Sequence, residues 1–180
     1  MALLNSTERY GTLSIAMHWL TAVLMVAVYA LIELHEALGR TPLARSMEDW
    51  HSMVGLLILL LVLARLPLRL LQPVPVIKPA LVAWQHKLSV AAHLALYGLM
   101  LVMPLLGWLL LSAEGHDVVF LGIPLPALTA ADSAFADQVK EVHEVIGTFG
   151  YALIGVHTAA AIFHHHFLRD NTLLRMLPKR

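Results

Sequence analysis

Apolar residues fill four long stretches of this chain, roughly 14–35, 51–71, 84–112 and 140–168, with charged or proline-rich sequence between them. Each approaches the ~20 residues that a helix needs to cross ~30 Å of hydrocarbon. The pattern predicts an all-α, integral membrane four-helix bundle, a single membrane domain over 1–180. Thr12 is placed to cap the first helix, and Met103-Pro104 followed by Gly107 predicts a kink two-thirds along the third. The connections are short except for residues 113–139. There Gly115, Gly122, Pro124 and Pro126 interrupt regular structure, and Ala130 to Asp137 is predicted as a short surface helix. Met1 to Thr12 lacks the pattern of a cleaved signal peptide, so the first apolar run is expected to stay in the bilayer as a span.

Composition strengthens the membrane reading. Of 180 residues, 59% are hydrophobic and the mean hydropathy is +0.74, against an apolar share of ~45–50% in soluble domains. The formal net charge is zero, which excludes a nucleic-acid binder driven by bulk positive charge. The distribution of charge is uneven, however. Arg65, Arg69, Lys78 and Lys87 surround the second connection, and Arg169, Arg175, Lys179 and Arg180 mark the tail. In the first loop Arg40 and Arg45 are offset by Glu36, Glu48 and Asp49, and the third loop sets Lys140 against Glu114, Asp117, Asp132, Asp137 and Glu141. By the positive-inside rule, the N- and C-termini and the second loop are cytoplasmic. Trp19, Trp50, Trp84 and Trp108 near the span ends fit an aromatic belt, with Trp19 and Trp108 equally suited to packing between helices.

The chain has no cysteine, which excludes disulfides, iron–sulfur clusters and thiolate-ligated zinc or haem and leaves histidine as the cofactor ligand. His143 and His157 are fourteen residues apart in one apolar stretch. At ~1.5 Å and ~100° per residue they share a helix face roughly 21 Å apart. Imidazoles inside hydrocarbon are costly unless a partner such as haem iron takes them up. In the predicted orientation His51 and His143 lie towards the outside, and His18, His93 and His157 towards the cytoplasm. A bis-histidine haem takes one imidazole from each side, and a bundle supplies such pairs from facing helices. The outer pair is His51 with His143, and the inner pair is His157 with either His18 or His93. Two stacked haems and electron transfer follow. No side chain is given a catalytic role, because the redox chemistry belongs to the cofactors.

Other residues fit around this frame. Met17, Met53, Met100 and Met103 are available as axial ligands, but eight methionines in an apolar chain read more simply as packing. Gly55, Gly147, Gly150 and Gly155 suit either close approach of a macrocycle or helix packing through small residues. His164, His165 and His166 point ~100° apart on a helix and so do not converge on one metal without unwinding. One of them, facing the bundle, can hydrogen-bond a quinone carbonyl and take part in its protonation. Arg65, Arg69, Lys78 and Lys87 suit that site or haem propionates, or simply snorkel at the boundary. His86 reads as interfacial. His35, Arg40, Arg45 and His116 are placed to guide an anion on the outside, although neighbouring carboxylates make any such attraction local.

His18-Trp19, His51, the His143 and His157 pair, and the run from His164 through Phe167, Asp170-Asn171-Thr172-Leu173-Leu174-Arg175-Met176 to Pro178 resemble the bacterial cytochrome b561 family over essentially the whole chain. The tail run is the most specific part. The resemblance implies a multi-pass protein of the bacterial inner membrane that carries two haem b and exchanges electrons with ubiquinone. For the members most similar to this sequence it implies a superoxide:ubiquinone oxidoreductase, in which superoxide outside the membrane reduces the haems and ubiquinone is reduced at the inner side. It further implies that His18 pairs with His157, with His93 behind the ligands or beside the quinone, and that the quinone end maps to His164 and Lys78. The alternative keeps the haems and makes the chain an electron-transfer subunit fed by a periplasmic dehydrogenase or cytochrome. A histidine-lined metal-ion transporter without haem would explain the triple histidine, but acidic residues are scarce within the spans.

Overall fold

The computed structural model describes residues 2–177. Pro178, at the end of the tail run, and Lys179 and Arg180, used for the orientation, lie outside the described residues. Four helices, α1 (Thr12–Leu38), α2 (Pro42–Leu71), α3 (Ala83–Ala113) and α4 (Ser133–Phe163), dominate the chain. All four are long and apolar enough to cross a membrane. This is the expected arrangement, since in hydrocarbon every backbone N–H and C=O must be satisfied within the chain.

The helices begin earlier than their apolar runs. Thr41 caps α2 by accepting from the Ala44 amide at 3.1 Å, with Pro42 in the first turn, and Asp132 caps α4 by accepting from the Phe135 amide at 3.1 Å. Proline at the first helical position and a short oxygen-bearing side chain before it are favourable start signals. Residues from Ser133 to Asp137 therefore belong to the first turns of α4 and form no separate surface helix, and 130–132 are not helical. At α1 the expected cap is corrected. Gly11 occupies that position without a side-chain bond, and the Thr12 hydroxyl instead donates to the Ala2 carbonyl at 3.3 Å. A Cβ on Gly11 would run into the backbone of Leu3 and Leu4, so only glycine lets the N-terminal segment fold back there. α3 runs unbroken through Pro104, which is buried. The third connection also holds a small antiparallel ribbon, β1 (Val119–Phe120) with β2 (Ile123–Pro124), turned through Leu121 and Gly122 at positive φ.

Packing is unequal around the bundle. α2 packs against α1 and α3, and its Ile58, Leu59 and Val62 form a buried cluster with Met100, against which Leu24, Met25, Val28 and Tyr97 pack. Close van der Waals fit of this kind holds helices together in lipid, where apolar burial adds little. α4 packs on α3 but has only Ala136, Val139 and Gly150 fully buried. Its half-buried positions, including His143, Ile146, Gly147, Leu153, Ile154, His157 and Ala161, recur at three- and four-residue intervals and so form one stripe. α4 thus turns one face to the other helices without sinking into them. Side chains bridge it to α1: the Tyr29 hydroxyl donates to the Gly147 carbonyl at 2.9 Å, and the Tyr151 hydroxyl donates to Glu33.

Candidate functional site

The stripe on α4 brings both of its histidines to partners on other helices. His143 meets His51 of α2 with ring centroids 6.3 Å apart, and His157 meets His18 of α1 at 6.4 Å. With a metal–imidazole bond of about 2 Å and a ring centroid roughly 1.1 Å further back, two imidazoles on opposite sides of one metal have centroids about 6 Å apart. Both pairs match that span. His93 of α3 approaches His157 more closely, at 5.4 Å and nearly edge-on. Because α4 is continuous from Ser133 to Phe163, the two layers stand roughly 21 Å apart along it.

Hydrogen bonding prepares the layers differently. The His51 Nδ1–H donates to the Val28 carbonyl at 2.8 Å, so Nε2 carries the lone pair. A backbone carbonyl on the far nitrogen is the usual way a protein orients a metal-binding imidazole. His143 Nδ1 is buried without a hydrogen-bond partner, a cost that structures rarely carry without a reason. In the other layer His93 Nδ1–H donates to the Ser89 carbonyl at 2.6 Å. His18 Nδ1 faces the Arg65 guanidinium at 3.1 Å. Arg65 also reaches the Thr21 hydroxyl at 3.4 Å and lies over the Tyr97 ring. It points into the bundle and does not snorkel to a boundary.

Five glycines of the spans divide into two groups, while a Cβ on Gly107 would touch the His143 ring. A Cβ on Gly150 would collide with the Tyr29 hydroxyl and one on Gly147 would touch Met103, so these two serve helix packing. A Cβ on Gly55, Gly98 or Gly155 would meet nothing within 4 Å. Gly55 is one turn beyond His51 and shares its face, whereas Gly155, two residues before His157, is exposed on the opposite face of α4. The matched ring spacing fits a flat, bis-imidazole-ligated macrocycle in each layer, and in the His51 and His143 layer the open space at Gly55 and the orphaned His143 nitrogen fit it as well.

At the end that carries both termini, α4 widens into a π-helical turn, His164–Leu168, closed by Arg169 in the left-handed region. Such turns re-aim side chains and recur at functional sites. The turn carries His164 to Asp170, which accepts from His164 Nδ1–H at 2.5 Å and from the Thr172 amide at 2.8 Å. Asp170 is 3% exposed. Burial alone would raise its pKa, but these hydrogen bonds outweigh burial and hold the carboxyl below its ordinary 3.8. Asn171 grips Lys78 from both sides: its side-chain oxygen accepts from the Lys78 amide at 2.8 Å, and its own amide donates to the Lys78 carbonyl at 3.1 Å. Arg175 donates to the Pro75 carbonyl and lies over the Tyr10 ring, and its burial lowers its pKa. Trp19 Nε1–H donates to the Met176 carbonyl at 2.7 Å. The tail run is therefore a clamp that holds His164 by Asp170 and the Lys78 loop by Asn171. The Asn171, Arg175 and Trp19 contacts escape the sequence reading because they join residues far apart in the chain, and the local His164–Asp170 bond escapes it because it depends on the π-helical turn. At the opposite end His35 is 3.9 Å from Glu48 and His116 is 3.3 Å from Glu114, so both of these histidines face carboxylates.

Comparison with known proteins gives one consistent result. The family model described as prokaryotic cytochrome b561 matches residues 9–179. Among curated proteins, the chain is 35% identical to "Cytochrome b561 homolog 1" of Escherichia coli K12, over 96% of this chain and 99% of that protein. It is 33% identical to "Probable superoxide oxidase CybB" of Yersinia pestis, over 96% and 98%. It is 31% identical to "Cytochrome b561 homolog 2" of Escherichia coli K12, over 99% and 96%.

Proposed function

The chain belongs to the prokaryotic cytochrome b561 family, whose members are multi-pass membrane proteins that bind haem b, and from that premise we propose that it is a di-haem oxidoreductase passing electrons from superoxide to ubiquinone. The observation that carries this reading is the pair of histidine layers, 6.3 Å and 6.4 Å between rings, on one continuous α4. The similarity to a protein named as a probable superoxide oxidase supports the choice of donor. In this reading the termini face the cytoplasm of a bacterial inner membrane, and His51 with His143 forms the outer layer.

His51 and His143 would hold the outer haem and His18 and His157 the inner one. Bound haem would supply one-electron redox chemistry at each layer. The protein's own work is to hold and to exclude. The Val28 carbonyl fixes the His51 ring, and the Ile58, Leu59, Val62 and Met100 cluster keeps water out of the bundle. Overall, two superoxide anions lose one electron each to become dioxygen, and ubiquinone gains two electrons and two protons to become ubiquinol. His164, held by Asp170, is the proton donor at the quinone carbonyl, and Lys78, held by Asn171, is the second polar contact. The test is superoxide-driven ubiquinone reduction by the pure protein. Quinone-dependent reoxidation after rapid reduction supports the reading, and haems that superoxide does not reduce contradict it.

One observation favours a second reading. With His35 and His116 facing carboxylates, the outer surface is poorly built to collect an anion. A periplasmic dehydrogenase or cytochrome would then feed the same haems. Stable co-purification of such a partner, with no superoxide activity, would select it.

A further inference from the structure

On α2, Arg65 follows His51 by fourteen residues, the same interval that separates His143 from His157 on α4. α2 therefore offers a histidine to one layer and a guanidinium to the other, and α1 supplies the missing imidazole as His18. Among the described residues no carboxylate lies within 4.0 Å of Arg65. Its partners are His18, the Thr21 hydroxyl and the face of Tyr97, all neutral. A cation inside a membrane bundle without an anion is expensive, and such groups find a counter-charge.

Arg65 also conflicts with ligation by His18. A guanidinium only donates, so His18 Nδ1 must accept, and the ring proton of neutral His18 stands on Nε2. Neither nitrogen is then free to bind a metal: Nδ1 is engaged by Arg65 and Nε2 is protonated. Whichever nitrogen ligates, Arg65 has to leave. His51, whose Nδ1–H already donates to a carbonyl, has no such conflict.

We propose that Arg65 is a carboxylate-binding residue of the inner layer, which releases His18 and takes a propionate carboxylate of the haem when that layer is loaded. If His18 ligates through Nε2, its proton moves to Nδ1, with none gained or lost overall. The guanidinium gains the anion it lacks, through two parallel charge-assisted bonds of the kind arginine makes with carboxylates. Arg65 thus couples haem loading to the freeing of its ligand, and its charge favours the reduced state of that haem. This inference rests on the di-haem reading.

The experiment uses purified holoprotein, wild type and the variants Arg65→Gln and Arg65→Lys, with haem propionate carboxyl carbons isotopically labelled. Haem per chain, a redox titration resolving each haem, and the redox-difference infrared bands of the labelled carboxylates are measured. The expected result for Arg65→Gln is a fall in the potential of one haem only, with a shift in that haem's carboxylate band, and a smaller shift of both in Arg65→Lys. Two haems with wild-type potentials and carboxylate bands in Arg65→Gln would overturn the proposal. If Arg65→Gln loses a haem, Arg65→Lys decides: restored loading with a shifted band supports the proposal, and restored loading with a wild-type band overturns it. A wild-type protein with fewer than two haems would instead defeat the di-haem reading.

Discussion

In the layer of His51 and His143, a backbone carbonyl fixes one imidazole and, among the described residues, no charged side chain hydrogen-bonds to either ring. The layer of His18 and His157 packs a third imidazole, His93, against the second and a guanidinium against the first. Ring spacing is almost the same in both. Spacing is a property of helix positions, whereas surroundings are set one side chain at a time. The first decides that a metal can be held, and the second decides how it is tuned. On this account electrons run from the neutral layer to the one that carries a positive charge.

The largest effect that breaks the comparison comes from the crowded layer. His18→Ala is expected to lose one of two haems, whereas His93→Ala retains both, measured as pyridine haemochrome per chain. Loss in His93→Ala with retention in His18→Ala would exchange their roles. Next in size is the clamp at the proposed quinone end. Asp170→Asn leaves His164 without its carboxylate, and quinone-dependent reoxidation is expected to slow by about tenfold with haem content unchanged, within the range seen for partners that orient functional groups.

A pH effect follows from the same carboxylate. The pKa of folded Asp170 lies below its ordinary 3.8, so its contribution to stability is fully present above that value and is lost as pH falls through the lower, folded pKa. Thermal unfolding followed from pH 7 to pH 3 should show a loss below about pH 4 that Asp170→Asn lacks. The smallest effect lies outside both layers. Thr41→Ala removes the α2 cap and should cost about 1 kcal/mol in stability, with both haem spectra unchanged.

The helices are legible in the sequence because a run of twenty apolar residues has few ways to satisfy its backbone in lipid. Their starts are less so. Residues 42–50 and 133–139 mix charged and polar side chains with apolar ones and fall outside the long apolar runs, and only Thr41-Pro42 and Asp132-Ser133 announce the helices there. The pairing of His51 with His143 follows from depth, and the likeness to known proteins suggests His18 for His157. Arg65 is only half legible, because a cation near the end of an apolar run reads alike as a quinone or propionate contact or as a snorkelling residue until the neighbouring helices surround it. The Asn171 contact is hidden. A loop some ninety residues earlier in the chain meets the tail only once the bundle has formed.

The most direct test of the account is haem stoichiometry in wild type, His143→Ala and His157→Ala, with each preparation titrated redox-spectroscopically. The account predicts two haems in the wild type and one in each variant, with the surviving haem of higher potential in His143→Ala than in His157→Ala. A wild type with a single haem, or variants that keep both, would contradict it.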